Sequence, residues 1–337
     1  MRESNMKKML SWLFTALLVC CIIFTTQSVT ANAAIVSSGK KNYTYSELQT
    51  DLKQLESKYS DHCKVNIIGQ SADKRNLYEV VIGNPNASKH LLVIANLHAR
   101  EHMTTQLCMK QIEYYLSNYN KKINGTKLSY TLDKVAIHYI PSCNPDGTAI
   151  SQKGFNAIRN KNLRKALKKM GGSSSRWKAN ARGVDLNRNW NIAFKRAGKK
   201  GASGYRGPKA ASEKEVQALV KWVNRVQNQG TITGVVSYHS TGSILYGRCA
   251  SSATKKVKST TTRMYKLAKK LTGYHLMPTE SISAARGCSR EYFLYGRKIP
   301  CITIEVGRGA APLSGSEFSS IWRKNKKVVI REAQLFD

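Results

Sequence analysis

Three apolar runs in this chain each end in a polar side chain. Leu91–Leu97 passes directly into His98-Ala-Arg-Glu101, Ile232–Ser237 leads to His239, and Ile299-Pro-Cys-Ile-Thr-Ile leads to Glu305. Continuous apolar runs of this length read as strands buried on both faces. Val65–Ile68, Leu77–Ile82 and Val135–Ile140 add further strands. Between them the apolar spacing changes to that of helices. Ser46-Glu-Leu-Gln49 reads as a capping box, followed by Leu48, Leu52, Leu55 and Tyr59 on one face. Met103–Tyr115, Leu163–Met170, Lys255–Leu271 and a last segment from Glu317 also have helical spacing, and Ser212-Glu-Lys-Glu215 reads as a second capping box before Val216, Leu219, Val220 and Val223. Strands alternating with helices predict an α/β fold, a single domain whose central mixed, twisted β-sheet is flanked by helices on both faces. Ligands in such folds gather at the carboxyl ends of the strands, where His98, His239 and Glu305 fall.

His98 and Glu101 offer an imidazole and a carboxylate from one turn. Alone, such a pair is ordinary helix surface. With His239 it makes two histidines and one carboxylate, a set that holds one zinc ion and leaves a position open for water, as a hydrolytic site requires. The long polar, glycine-rich and basic stretch from Thr148 to Pro208 is where binding loops are expected.

The first residues change the picture of where the chain works. Arg2, Lys7 and Lys8 precede the apolar run Met9–Phe24, and Ala31-Asn32-Ala33 has a small-x-small pattern. Residues 1–33 therefore read as a secretory signal peptide rather than a stable membrane anchor, and Val19 before Cys20 argues against lipid attachment. About ten residues separate that cleavage pattern from Tyr43, so activation by loss of a folded inhibitor domain is not expected. Residues 42–337 form the expected catalytic domain; no Pro-rich linker or repeat divides them.

The formal net charge is +35, from 55 Lys and Arg against 20 Asp and Glu. Such a field favours polyanions. The cations are spread along the chain with no basic block interleaved with aromatics, which with export argues against nucleic acid and for an anionic wall polymer. Solubility alone is the competing explanation. Six cysteines, Cys63, Cys108, Cys143, Cys249, Cys288 and Cys301, follow the leader. An even number in an exported chain permits disulfides, and free buried thiols fit the apolar runs equally well.

His98-Ala-Arg-Glu101, Asn144-Pro-Asp-Gly147, Gly183-Val-Asp-Leu-Asn187-Arg188-Asn-Trp190, Ser237-Tyr-His239-Ser and Thr303-Ile-Glu305 together resemble the zinc carboxypeptidases of the carboxypeptidase A and B type, from Tyr43 to the last helix. The resemblance implies that family's fold, one zinc ion held by His98, Glu101 and His239, and Glu305 as general base. It places an oxyanion arginine shortly after the Asn-Pro-Asp-Gly turn, where Arg159 and Arg164 both stand; Leu163-Arg164-Lys165 is the closer match. It also implies that Asn187 and Arg188 grip the substrate's terminal carboxylate, and that Arg100 makes a further substrate contact. Arg290 falls at the base of the side-chain pocket, where a buried arginine demands an acidic partner. The family's clamp tyrosine has no counterpart in Glu280–Gly287, so Tyr292 or another side chain is expected to substitute.

Three functions follow as expectations. The first is a secreted, extracellular metallocarboxypeptidase, monomeric, removing a C-terminal residue that is acidic or carries a carboxylate. The second is a wall peptidase cutting the D-glutamyl-diamino-acid bond of peptidoglycan stem peptides, as bacterial relatives of the family do. The third is an inactive homologue that only binds wall polymer.

Overall fold

The computed structural model describes residues 34–279 and 286–337. The predicted leader, residues 1–33, lies outside them, as does most of the segment expected to lack the clamp tyrosine. The compact unit Ile35–Asp337 is built on an eight-stranded sheet. Its strands are β1 (Cys63–Gln70), β2 (Asn76–Ile82), β3 (Lys89–Ala95), β4 (Val135–Ile140), β5 (Thr231–Ser240), β6 (Ile244–Tyr246), β7 (His275–Leu276) and β8 (Cys301–Val306). In space the order is β1-β2-β4-β3-β5-β8-β6-β7. The four central strands β4, β3, β5 and β8 are parallel, whereas β1–β2, β2–β4 and β8–β6 pair antiparallel. The sheet is therefore mixed, as expected.

Alternation along β3 shows why the run must be apolar on both faces. Leu91, Val93 and Ala95 enter one core and Leu92 and Ile94 the other. The first core takes α1 (Tyr45–Lys58), α2 (Met103–Ser117), α3 (Leu128–Lys134), α7 (Lys255–Thr272), α8 (Phe318–Asn325) and α9 (Val328–Ala333). The second takes α6 (Lys214–Gln229), through Val216, Leu219, Trp222, Val223 and Val226, together with Trp190 and Tyr292–Leu294. A third cluster, Ile150, Ile158, Leu167 and Trp177 among others, packs α4 (Pro145–Lys153) and α5 (Lys161–Met170) over the His98 turn through Ala99.

Both predicted capping boxes need correcting. The first is formed by Thr44 and Glu47, two residues before the expected Ser46 and Gln49, because α1 already begins at Tyr45. The second does not form: Glu213 stands at the N-cap with no side-chain cap bond, and Glu215 instead accepts from Ala72 N and Asn180 Nδ2. The last helix is divided into α8 and α9 between Asn325 and Val328. All six cysteines are free thiols, five of them buried. Among the described residues no helix is long and apolar enough to cross a membrane.

Candidate active site

β3 stops at Ala95, and the next residue, Asn96, turns the chain with φ +59, a left-handed conformation that Asn tolerates better than most residues. Its buried side chain fixes the turn: Nδ2 donates to His98 O at 3.0 Å, and Oδ1 accepts from Ser142 Oγ at 3.0 Å and Thr148 Oγ1 at 2.6 Å. His98 then precedes a single 3-10 turn, Ala99–Glu101, which brings the Glu101 carboxylate back beside its own imidazole. His239 comes from the end of β5. In the parallel ladder β8 runs alongside with Glu305 paired to His239, so these two side chains leave the same face of neighbouring strands.

The three expected ligands converge. His98 Nδ1 lies 2.8 Å from Glu101 Oε1, His239 Nδ1 lies 2.9 Å from Glu101 Oε2, and the two Nδ1 atoms are 3.2 Å apart. All three residues are buried and their ligand atoms lie within 4.8 Å of one another. Tetrahedral ligands about 2.0–2.1 Å from a zinc ion stand roughly 3.3 Å from each other. Two imidazole lone pairs and a carboxylate aimed at one point at that spacing fit a zinc ion. Behind His98, Asp185 Oδ1 lies 3.2 Å from Nε2, the carboxylate support that fixes a ligand histidine's tautomer. Asp185 stands within the Gly183–Trp190 motif, whose register is the signal that could have found it.

Electrostatics sort the carboxylates. Burial opposes ionisation of Glu101 and of Asp185, but His98 outweighs it in both, aided by His239 at Glu101 and by Lys178 and Arg188 at Asp185, so both are held well below the usual range. Burial also works against a charged His98, but Glu101 and Asp185 raise it, whereas burial dominates at His239 and lowers it. Glu305 differs from Glu101. Burial first, and then the charge of Glu101, push it up to about 8, against the opposing pull of His98 and Lys178. A carboxylate with affinity for a proton near neutrality is suited to accept one and return it.

Asn187 and Arg188 stand on a short turn, Leu186–Arg188, whose start is tied by Asp185 Oδ1 accepting from Asn187 N at 3.0 Å. Asn187 Oδ1 accepts from Ser289 N and Ser289 Oγ, both at 2.9 Å, and Arg188 Nη1 donates to Cys288 Sγ. Asn187, Arg188 and the segment that leads to Arg290 are thus one hydrogen-bonded unit. A Cβ at Gly287 would stand 2.1 Å from Arg188 O, so this approach requires glycine. Arg290 is buried, and its acidic partner is its neighbour: Nη2 lies 2.7 Å from Glu291 Oε1, while Nη1 donates to Arg248 O and the guanidinium faces Tyr246, 5.7 Å from the ring centroid. Tyr292 packs on Trp190, centroids 5.0 Å apart, inside the second core, which removes it as a clamp.

The remaining arginines separate. Arg100 lies beside the His98 turn, its Nη1 3.3 Å from Arg176 O. Arg159 and Arg164 are not brought to the cluster. Arg159 is bound through backbone and side chain to Asp73, and Arg164 donates to Ile158 O from the basic face of α5 that also carries Lys161, Lys165 and Lys168. The cation that does stand by the histidines is Lys178, whose Nζ lies 3.7 Å from Asp185 Oδ2. Asn144 joins this region to the metal turn, donating to Leu97 O at 3.1 Å and Ala179 O at 3.3 Å.

Comparison with known proteins agrees with this geometry. The chain is 27% identical over 297 residues to gamma-D-glutamyl-L-diamino acid endopeptidase 1 of Lysinibacillus sphaericus, covering 85% of this chain and 71% of that one. It is 31% identical to carboxypeptidase A2 of Rattus norvegicus over 188 residues, 54% of this chain and 40% of the rat protein. The fold matches that of thrombin-activatable fibrinolysis inhibitor with a TM-score of 0.71 at 19% identity, covering 90% and 76% of the two chains. It also matches a metallo-carboxypeptidase from Burkholderia cenocepacia with a TM-score of 0.61 at 15% identity, covering 88% and 70%. The zinc carboxypeptidase family model matches residues 48–328, the span that holds the converging triad, Asp185 and Glu305; the chain belongs to the zinc carboxypeptidase family and is a zinc metallopeptidase.

Proposed function

We propose that this peptidase is exported and removes a C-terminal residue whose side chain carries a carboxylate. The observation that carries the reading is that the Asn187–Arg188 unit is hydrogen-bonded through Ser289 and Cys288 to the segment carrying the buried Arg290, a guanidinium that Glu291 holds in place and whose charge favours an anionic side chain beside it. Asn187 and Arg188 bind the terminal carboxylate and so place the last peptide bond at the triad. His98, Glu101 and His239 hold the zinc ion, with His98 oriented by Asp185. A zinc ion held there would supply Lewis acidity. Glu305 takes the proton from the attacking water and delivers it to the departing amine. The intact triad and Glu305 leave the inactive-homologue expectation without support.

A second reading is favoured by one observation: the match to the L. sphaericus endopeptidase extends over 85% of this chain. On that reading the bond cut is D-glutamyl-diamino-acid in wall stem peptides, and the carboxylates of the diamino acid occupy Arg188 and Arg290. The apolar leader and the net charge of +35 support export to an anionic wall in either case.

The test is product mass spectrometry with zinc-loaded protein on peptides differing only in the last residue and on soluble muropeptides. Single-residue loss, fastest after Asp or Glu and slowed by Arg290→Met, is expected. Cleavage of muropeptides alone overturns the first reading in favour of the second.

A further inference from the structure

The oxyanion arginine expected from the sequence is not at the metal cluster, yet the reaction builds negative charge on a carbonyl oxygen that needs a cation. The arginines expected to serve the substrate each have another engagement: Arg100 with Arg176 O, Arg159 with Asp73, Arg164 with Ile158 O, Arg188 with Asn187 O and Cys288, and Arg290 with Glu291. We propose that Lys178 is a catalytic residue of this chain, its ammonium donating to the carbonyl oxygen as that oxygen becomes anionic. The inference rests on the peptidase reading above and identifies the charge that serves it.

The placement of Lys178 supports this role. Its carbonyl accepts from Ala99 N at 3.0 Å, which pins the residue to the turn between His98 and Glu101. Trp177, Ala179 and Asn180 on either side are buried, with Trp177 Nε1 donating to Asn180 O and Ala179 O accepting from Asn144. The backbone is therefore fixed while the side chain, 20% exposed, reaches toward the cluster. Its Nζ is 3.7 Å from Asp185 Oδ2, too long for a full hydrogen bond, so a donor remains for a ligand. A compact ammonium on a flexible stem can swing from that carboxylate to a developing oxyanion. Its field also reaches His98, His239 and Glu305 together.

In the step, the water oxygen bonds to the carbonyl carbon, the π pair moves to the carbonyl oxygen, and the water proton passes to Glu305. When the carbon–nitrogen bond breaks, the pair returns from oxygen and the amine leaves with the proton from Glu305. Lys178 remains an ammonium throughout.

The test uses the zinc-loaded full chain with Lys178→Met, which removes the charge and keeps the stem, and Lys178→Arg, which keeps the charge. Four quantities are read: kcat and KM on the best peptide, zinc affinity by chelator competition, and affinity for a phosphinic peptide that imitates the tetrahedral anion. For Lys178→Met, kcat is expected to fall about 10²- to 10³-fold with KM and zinc affinity little changed. Phosphinate affinity falls in parallel with kcat/KM, and Lys178→Arg recovers most of both. Unchanged kcat and phosphinate affinity overturn the proposal. A loss of kcat that appears only with a matching loss of zinc affinity also overturns it, because Lys178 then acts solely by holding Asp185. If the wild type cleaves no peptide but binds the phosphinate more tightly than Lys178→Met, the peptide-substrate reading fails and the role of Lys178 stands.

Discussion

One strand carries two histidine–glutamate assemblies with opposite characters. His98, just past the end of β3, joins Glu101 and His239; His90, at its start, joins His138 of β4 and Glu79 of β2. Each has two buried imidazoles and one buried carboxylate. In the first, both Nδ1 atoms and the carboxylate face one point. In the second they form a line: His90 Nδ1 is 3.0 Å from His138 Nε2, and His138 Nδ1 is 2.9 Å from Glu79 Oε1. That line ends in a carboxylate already satisfied by Trp222 Nε1, Arg225 Nη2 and Asn66 Nδ2. Residue types alone therefore do not make a metal site. What matters is whether the lone pairs are left facing one another or are used up along a chain of donors.

The comparison is broken most severely at the ligands. His98→Ala is expected to abolish zinc retention and peptidase activity together, while His90→Ala keeps a full zinc complement by elemental analysis; a zinc loss in His90→Ala would show the two assemblies to be linked. Next comes Glu79→Gln, which leaves His138 and Arg225 facing an uncharged amide and is expected to cost about 3–5 kcal/mol of stability with activity per folded molecule unchanged.

Acid unfolding sharpens the same point. Burial pushes Glu79 up, but His138, Arg225 and Trp222 outweigh it and hold it at about 2. Its stabilisation is complete above the ordinary carboxylate range near pH 4.5 and is lost as pH falls toward 2. Burial and His138 hold His90 down at about 4, so its neutral form stabilises the fold above pH 6.5, and that contribution is lost between pH 6.5 and 4. Urea midpoints measured from pH 7 to pH 2 should therefore decline in two stages, and Glu79→Gln should flatten only the lower one. The smallest effect is expected at Asp185→Asn: zinc affinity weaker by about 10- to 100-fold in a chelator titration, with the fold intact.

Much of this was legible in the chain because burial imposes a pattern. Val135–Ile140 coincides with β4, and the three apolar runs ending at His98, His239 and Glu305 do lie side by side in the sheet. What was not legible lies where no period constrains the residues. Between Thr148 and Pro208 the polar side chains outside the third apolar cluster are placed by single hydrogen bonds, such as that from Asn180 to Glu213, so spacing could not distinguish Lys178 from Arg159 or Arg164. The capping boxes failed for a related reason. Thr44 and Ser46 are both competent caps, and Glu215 is drawn into a buried contact with Asn180 that no local rule foresees.

The pairing of His239 with Glu305 across parallel strands has a consequence for engineering. The offset between base and metal is set by the sheet's own spacing of about 4.8 Å, a ruler that loops do not share. The two strands are separated by sixty residues of intervening chain, including the pocket segment with Arg290. Substitutions confined to that pocket segment can therefore retarget the enzyme, as interchangeable tooling on a fixed spindle, while the ladder, with β6 and α7 packed on it, keeps the working tolerance of the chemistry.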